Sequence, residues 1–167
     1  IVPRAVLGGE NYIAPSDRLN IAAVGAAGKG SSDIQSVGHE NIYAICDIDD
    51  RRLADTLQQE FAASFRDRTK TYRDYREMLD SEPEIDAVLI STPDHMHAPI
   101  AMHAIGMGKH VYVQKPLCHT VNECRMLARA AEANNVVTQM GNQGHAGEGA
   151  RLINEWVASG ALGDICL

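Results

Sequence analysis

A glycine-rich turn and an acidic residue 22 positions after its first glycine could together bind a nucleotide. The segment 20–30 reads NIAAVGAAGKG, a short apolar run that breaks into glycines, and a second apolar run over 42–46 ends at Asp47. In a strand–turn–helix–strand unit, the turn lets backbone N–H groups approach a pyrophosphate at a helix N-terminus. The carboxylate after the second strand can bind both hydroxyls of an adenosine ribose. This layout predicts a dinucleotide site.

The glycine turn matches the usual G-x-G-x-x-G pattern imperfectly. Gly25 and Gly30 fill the first and third positions, while Ala27 places a methyl group where the backbone should come close to the phosphates. Glycine turns also serve as plain strand-to-helix connections, so the surrounding strands and Asp47 strengthen the prediction. We expect the whole loop to contact the cofactor, namely Gly25, Ala27, Gly28, Lys29 and Gly30.

Asp47 favours NAD over NADP, because a carboxylate at the ribose repels the 2′-phosphate of NADP. The alternative role for Asp47 is a cap at the start of the following helix. Arg51 and Arg52 complicate the choice, since a nearby arginine could bind that phosphate. We expect both on the helix face, with Arg51 stacked on the adenine.

Composition excludes several classes of partner. The 167 residues carry a net charge of −7 with a pI near 5.4 and no basic stripe, which argues against nucleic acid or an anionic membrane. No apolar run approaches the roughly 20 residues that a membrane helix needs. The cysteines show no CxxC spacing, so we predict reduced or buried thiols, with Cys46 as a small core residue.

Apolar runs alternate with helical periodicity through the middle of the chain. Mostly continuous apolar strands are typical of a parallel sheet buried on both faces, and right-handed crossovers then give a doubly wound α/β fold. The predicted strands lie near 20–25, 42–46, 86–91, 110–114 and 136–140. The predicted helices lie near 28–38, 49–62, 73–80, 96–107, 120–134 and 147–159.

Polar residues follow three of these strands. They occupy 91–97 (STPDHMH), 114–117 (QKPL) and 141–145 (GNQGH). Ligands of doubly wound sheets bind at the carboxyl edge of the strands, so these residues are expected at one functional rim.

The chain from Asn20 to its end resembles the glucose–fructose oxidoreductase/inositol dehydrogenase (Gfo/Idh/MocA) family. Three motifs carry the resemblance: T-P-x-x-x-H at Thr92, Pro93 and His97; G-K-H-V-x-x-E-K-P at 108–116; and a later pattern at Gly147, Arg151 and 160–165. The sequence departs from the second motif at Gln114, where the family usually has Glu.

The resemblance implies a Rossmann-type NAD-binding domain over 20–167, preceded by an arm or linker over 1–19. It also implies a substrate-binding second domain that this chain lacks, so the isolated chain is expected to be inactive. Lys115 is then the main catalytic candidate, contacting the substrate hydroxyl beside the nicotinamide, and His97 is a second. The cofactor-binding set beyond the glycine loop is Asp47, Arg51, Ser91, Thr92, Pro93, His97, Gln114, Lys115, Pro116, Asn142 and Gln143.

His95 and His97 form an H-x-H pair, which could bind a metal with His145 or His119 as a third ligand. We predict no metal site, because no carboxylate–histidine cluster has metal-ligand spacing. Asp94 is instead expected to begin a helix, with a structural role for His95 in its first turn.

Three functions remain open at the level of sequence. The first is an NAD-dependent oxidoreductase acting on a sugar or cyclitol hydroxyl. The second is an NAD-dependent glycosidase, which oxidises a sugar transiently, eliminates the aglycone and then reduces the ring, and the third is a non-catalytic nucleotide-binding module. The resemblance also implies a small carbohydrate as substrate and a homo-oligomer formed through the second domain.

The N-terminal arm, IVPRAVLGG, resembles the segment that follows a twin-arginine leader in exported members of the family. We therefore expect a periplasmic or secreted protein, with the cytoplasm as the alternative. The start without Met is interpreted as loss of an upstream segment.

Overall fold

Six parallel strands form a single sheet in a computed structural model that describes residues 13–163. The strand order is β3-β2-β1-β4-β5-β6, so the chain moves outward in one direction from β1 and then returns to start again at β4. Ligands of such sheets bind at this switch point between β1 and β4. The strands are β1 (Asn20–Val24), β2 (Asn41–Cys46), β3 (Lys70–Tyr72), β4 (Ala87–Ile90), β5 (His110–Gln114) and β6 (Thr138–Gly141).

Helices cover both faces of the sheet, as the continuous apolar strands require. Neighbouring residues of β1 point to opposite faces: Ile21 packs with Ile34 and Phe65, whereas Ala22 packs in the cluster that contains Met78 and Ile105. The helices are α1 (Lys29–Ser36), α2 (Asp50–Gln58), α3 (Tyr75–Ser81), α4 (His97–Gly106), α5 (Val121–Asn134) and α6 (Glu148–Ala158).

The predicted doubly wound fold is confirmed, and each predicted strand and helix has a counterpart, but two local predictions are wrong. The strand β3 was missed, because its three residues form a partly exposed edge strand without an apolar run. The helix predicted over 49–62 ends at Gln58, and a separate 3-10 helix, Glu60–Ser64, follows. Gln59 is extended at the break, and the second segment buries Ala62 and leads to the buried Phe65.

Cys118 and Cys124 form a disulfide, which corrects the prediction of thiols at these positions. The turn between β5 and α5 brings their Cα atoms within 6.0 Å, a proximity that the sequence spacing does not reveal. Cys46 is a buried free thiol, as predicted. Cys166 and residues 1–12 of the expected arm lie outside the described residues. So do residues 165–167, whose apolar sequence ICL predicts the start of a further strand. Among residues 13–163, no helix is both long and apolar enough to cross a bilayer.

A polar cluster at the β3 edge joins this short strand to the end of α3. The Glu82 carboxylate is buried and accepts hydrogen bonds from Lys70 Nζ at 2.6 Å and from the Tyr72 hydroxyl. The Lys70 and Tyr72 hydrogen bonds hold the pKa of Glu82 below its usual value, while the Glu82 carboxylate raises the pKa of Tyr72 to about 12. The cluster therefore stabilises an edge strand that apolar packing alone does not secure.

We predict that Glu82→Gln lowers the unfolding temperature at pH 7 by roughly 2–4 °C. A carboxyl whose pKa is lowered by folding stabilises the protein above its unfolded pKa and stops doing so as pH falls through the folded pKa. The difference between variant and wild type should therefore shrink below about pH 4.5. Calorimetry across pH measures it, with the exposed Glu84→Gln as control. A difference of the same size at pH 7 and pH 3.5 would contradict the prediction.

Candidate cofactor site

The turn after β1 approaches the end of β4 too closely for any side chain. A Cβ atom at Gly25 would lie 2.6 Å from the Ser91 carbonyl oxygen, and a Cβ at Gly30 would overlap the Gly25 carbonyl. Gly25 also has a φ of +90°, which side chains rarely permit. The lack of space for a Cβ atom at positions 25 and 30 thus explains why both residues of the sequence pattern are glycine.

Two side chains from the β2 side hold this turn in place. The Asp47 carboxylate accepts the N–H of Ala26 at 2.9 Å through one oxygen and the N–H of Asp49 at 3.0 Å through the other. The buried Thr56 hydroxyl donates to the Ala26 carbonyl at 2.9 Å. Both backbone groups of Ala26 are therefore used internally, and the following N–H groups are left to face a ligand.

The turn fits a pyrophosphate. In the described part of the chain, the N–H groups of Ala27 and Gly28 donate to no carbonyl, and they stand at the N-terminus of α1. Such groups bind phosphate oxygens with the help of the helix dipole. The Ala27 methyl group lines the adjacent cavity, whereas Gly28 is exposed with open space around it. Gly28 therefore leaves open space beside the turn for a ligand.

A cavity of about 570 Å³ opens beside the turn, between β1, β2 and β4. Asp47 lies on its wall, and each of its oxygens retains capacity to accept a ribose hydroxyl in addition to its backbone N–H. Asp49, and not Asp47, caps α2, because its side chain accepts the N–H of Arg51. The remaining lining residues include Ile48, Arg52, Arg73, Tyr75, Ser91, Thr92, Pro93, His95 and Met96.

Arginines surround the cavity differently from the prediction. The Arg51 side chain is 90% exposed, lies 3.4 Å from Asp49 and is absent from the cavity wall, which instead contains Arg52 and Arg73. Arg73 donates to Asp50 and to the Ile48 carbonyl, which fixes it beside the mouth. It was missed because it follows the unpredicted strand β3.

Cys46 also lines the cavity, but its thiol is expected to be unreactive. Burial, and then the nearby Asp74 and Asp47 carboxylates, raise the pKa of its thiol to about 12. A thiol that stays protonated is a poor nucleophile at neutral pH. Within residues 13–163, no three His, Cys, Asp or Glu side chains converge as metal ligands.

His97 connects the polar segments that follow β4 and β5. It is 1% exposed, and its two ring nitrogens contact the carbonyl oxygens of Pro116 at 2.6 Å and Thr92 at 2.8 Å. These contacts occupy both polar atoms of the ring, so they support a positioning role for His97 and leave neither nitrogen for a substrate. His95, two residues earlier, is exposed on the cavity wall.

Lys115 lies exposed at the end of β5, beyond the cavity wall, and is joined to Pro116 by a cis peptide bond. The preceding Gln114 points inward, is buried, and donates to the Asp33 carboxylate at 2.8 Å. Asn142 and Gln143 are exposed after β6, and Gln143 contacts the Tyr112 hydroxyl at 2.9 Å. The predicted residues therefore form two groups, one on the walls of the cavity and one on the exposed rim after β5 and β6.

Asp33 and Thr56 are two buried polar residues near the site that sequence reasoning missed. Both lie inside helices, where a polar residue is expected on the solvent face, and neither falls in a recognisable motif. The sequence signal that could have revealed them is their position in the helical repeat, because each is a polar residue on the apolar side of an otherwise amphipathic helix.

The sequence of this chain is similar to those of known proteins. The model of the oxidoreductase family with an NAD-binding Rossmann fold (Gfo/Idh/MocA) matches residues 19–142. A glycosyl hydrolase family 109 protein from Shewanella sp. strain ANA-3 is 30% identical in an alignment 172 residues long. The alignment covers 98% of this chain and 36% of that protein. The chain thus spans about a third of the length of the curated relatives it matches.

Solved structures share the fold of this chain. An NAD-binding oxidoreductase from Klebsiella pneumoniae superposes with a TM-score of 0.66 at 28% identity, covering 87% of this chain and 40% of that one. The myo-inositol 2-dehydrogenase of Lactobacillus plantarum gives 0.71 at 24% identity, with 89% and 43% covered. The family match spans most of the chain and includes the glycine turn, Asp47 and Lys115. This chain therefore belongs to the Gfo/Idh/MocA oxidoreductase family and carries its NAD-binding Rossmann domain.

Proposed function

We propose that the protein transfers a hydride between NAD and a hydroxyl-bearing carbon of a sugar or cyclitol. The observation that carries this proposal is the position of Lys115, an exposed cation that directly follows β5, at the same carboxyl edge of the sheet as a cavity suited to a nucleotide. NAD, when bound, accepts the hydride. A carbohydrate substrate agrees with relatives described as glycosyl hydrolases.

The residues of the chain divide the work of binding and chemistry. Asp47 would hold the adenosine ribose, and the N–H groups at the start of α1 would hold the pyrophosphate. The Lys115 ammonium would stabilise the negative charge that forms on the substrate oxygen as the hydroxyl proton leaves, and the resulting alkoxide then releases the hydride from its carbon. The hydroxyl proton passes to solvent at this exposed edge, because an ammonium has no lone pair with which to accept it.

A second candidate function is glycoside cleavage through transient oxidation. The family 109 relatives favour it, with 28–30% identity across most of this chain. The first step is the same, but the hydride returns to the sugar after the aglycone has left. The two functions therefore differ in net products and not in the cofactor domain, and a non-catalytic nucleotide-binding module would yield no products at all.

We further propose that the protein is exported and forms homo-oligomers. The disulfide between Cys118 and Cys124 supports the export, because disulfides persist mainly in oxidising compartments outside the cytoplasm. The proposal of a homo-oligomer is based on the family resemblance alone. Fractionation of cells, followed by measurement of the mass of the purified protein in solution, addresses both proposals.

Incubation of the complete protein with NAD and a panel of sugars, cyclitols and aryl glycosides tests the function. We expect net NADH with a free sugar or cyclitol. Release of the aglycone without net NADH would establish the glycosidase instead, and neither product across the panel would contradict both proposals.

We predict that Asp47→Ala weakens NAD binding by roughly tenfold to a hundredfold and NADP binding much less, because it removes acceptors for the ribose hydroxyls. Thr56→Val is the matched control: it removes the other side-chain contact to Ala26 and leaves the carboxylate in place. The control should weaken both cofactors equally in calorimetric titrations. An unchanged NAD/NADP affinity ratio in Asp47→Ala would remove this residue from cofactor selection.

We predict that Lys115→Ala in the complete protein lowers kcat by roughly 10²–10³ with little change in the Kd for NAD, because it removes one electrostatic stabiliser. Lys115→Arg should not restore activity, since a planar guanidinium cannot replace a compact point charge. Lys109→Ala, just before the opposite end of β5, serves as control. Turnover at the wild-type rate in Lys115→Ala would exclude the proposed role.

A further inference from the structure

A buried carboxylate connects three segments beneath the rim. Asp33, on the second turn of α1, is 6% exposed. One of its oxygens accepts from Lys29 Nζ at 2.5 Å, and the other accepts from the Ser91 hydroxyl and from Gln114 Nε2, each at 2.8 Å. Ser91 directly follows β4, and Gln114 is the last residue of β5. A single side chain therefore fixes the ends of the two strands that lead into the rim.

The space around Gln114 is fully used. The Gln114 side chain is 5% exposed. Gly141 lies opposite it on the neighbouring strand β6, and a Cβ atom at Gly141 would be 2.8 Å from the amide nitrogen of Gln114. With the Gln143 amide oriented so that its atoms find partners, the Gln143 oxygen accepts from Gln114 Nε2 at 2.8 Å and from Lys29 Nζ at 3.2 Å. The two hydrogens of the Gln114 amide nitrogen thus go to Asp33 and Gln143, which leaves that residue one orientation.

The charges in this cluster are balanced one against one. Asp33 supplies the only negative charge among these hydrogen-bonded residues, and the half-exposed Lys29 supplies the only positive charge. Ser91, Gln114 and Gln143 are neutral. A second carboxylate in place of the Gln114 amide would remove the donor to Asp33 and place two negative charges within hydrogen-bond distance in a buried site.

We propose that Asp33 is a positioning residue for Lys115, and that its buried charge requires a neutral hydrogen-bond donor at position 114. Asp33 touches neither Lys115 nor the cavity. It acts by fixing Gln114, whose backbone continues into Lys115, and Ser91, whose backbone continues into the cavity wall at Thr92. The catalytic part of this proposal rests on the proposed hydride transfer, in which small displacements of a charged group reduce the rate strongly.

Gln114→Glu in the complete protein is the first test. We expect kcat to fall by about tenfold or more, and by a larger factor than the Kd for NAD rises, because Gln114 directly precedes Lys115 and contacts neither Asp47 nor the N–H groups of Ala27 and Gly28. The unfolding temperature should also fall. Gln58→Glu, on the exposed surface of α2, introduces the same charge away from the rim and should change none of these values.

A second substitution that restores activity distinguishes a specific interaction between Asp33 and position 114 from general destabilisation of the fold. The double variant Asp33→Asn with Gln114→Glu restores one carboxylate and one amide in exchanged positions, and should bring kcat and the unfolding temperature back toward the wild type. Asp80→Asn, on an exposed site in α3, replaces Asp33→Asn in the control double variant and should rescue nothing. A double variant no better than Gln114→Glu, or a Gln114→Glu protein that behaves as wild type, would overturn the proposal.

The readouts also separate this proposal from the proposed function. If the wild-type protein binds NAD but turns over no substrate in the panel, the proposed function fails, and the unfolding temperatures alone test whether Asp33 and position 114 form an exchangeable pair. If the wild type is active and the four variants do not follow the expected order, the positioning role of Asp33 fails while hydride transfer stands.

Discussion

The close backbone contact between the turn after β1 and the end of β4 is the constraint on which the site depends. Gly25 packs against the Ser91 carbonyl, and Gly30 packs against Gly25, so neither position has room for a side chain and the turn lies directly on the end of β4. Asp47 and Thr56 then fix Ala26 from the β2 side. This places the N-terminus of α1 over the switch point of the sheet, where a negatively charged ligand is stabilised by backbone groups rather than by basic side chains. A protein of net charge −7 can therefore hold a pyrophosphate without a basic patch.

Much of the fold and half of the site could be predicted from sequence, because backbone constraints and long apolar runs leave visible patterns. Glycines at a crowded turn, buried strands and the Lys115–Pro116 motif are such patterns. The strand β3 could not be predicted, since its pairing with β2 depends on tertiary contacts and not on its own three residues. Arg73 was lost with it. Asp33 and Thr56 were also hidden, because a buried polar side chain is defined by partners distant in sequence, such as Gln114 and Ala26.

The two halves of the site differ in how completely this chain builds them. The half near Asp47 is a walled cavity, whereas Lys115, Asn142 and Gln143 lie exposed on the rim. Contacts beneath that rim are nevertheless specific: His97 joins the Thr92 and Pro116 carbonyls, and Asp33 joins Ser91 and Gln114. The rim is thus preorganised from below, which is what a site needs if its charged group is to act without rearrangement.

The most direct test of this account is a calorimetric titration of NAD into the complete protein, alongside a Gly30→Ala variant. The central claim is that the backbone turn at the switch point binds the pyrophosphate of NAD. The account predicts saturable binding of one NAD per chain in the wild type, and binding weakened by about a hundredfold or lost in the variant, since a methyl at position 30 displaces the turn from the sheet. No heat of binding at millimolar NAD, or equal affinity in the variant, would contradict it.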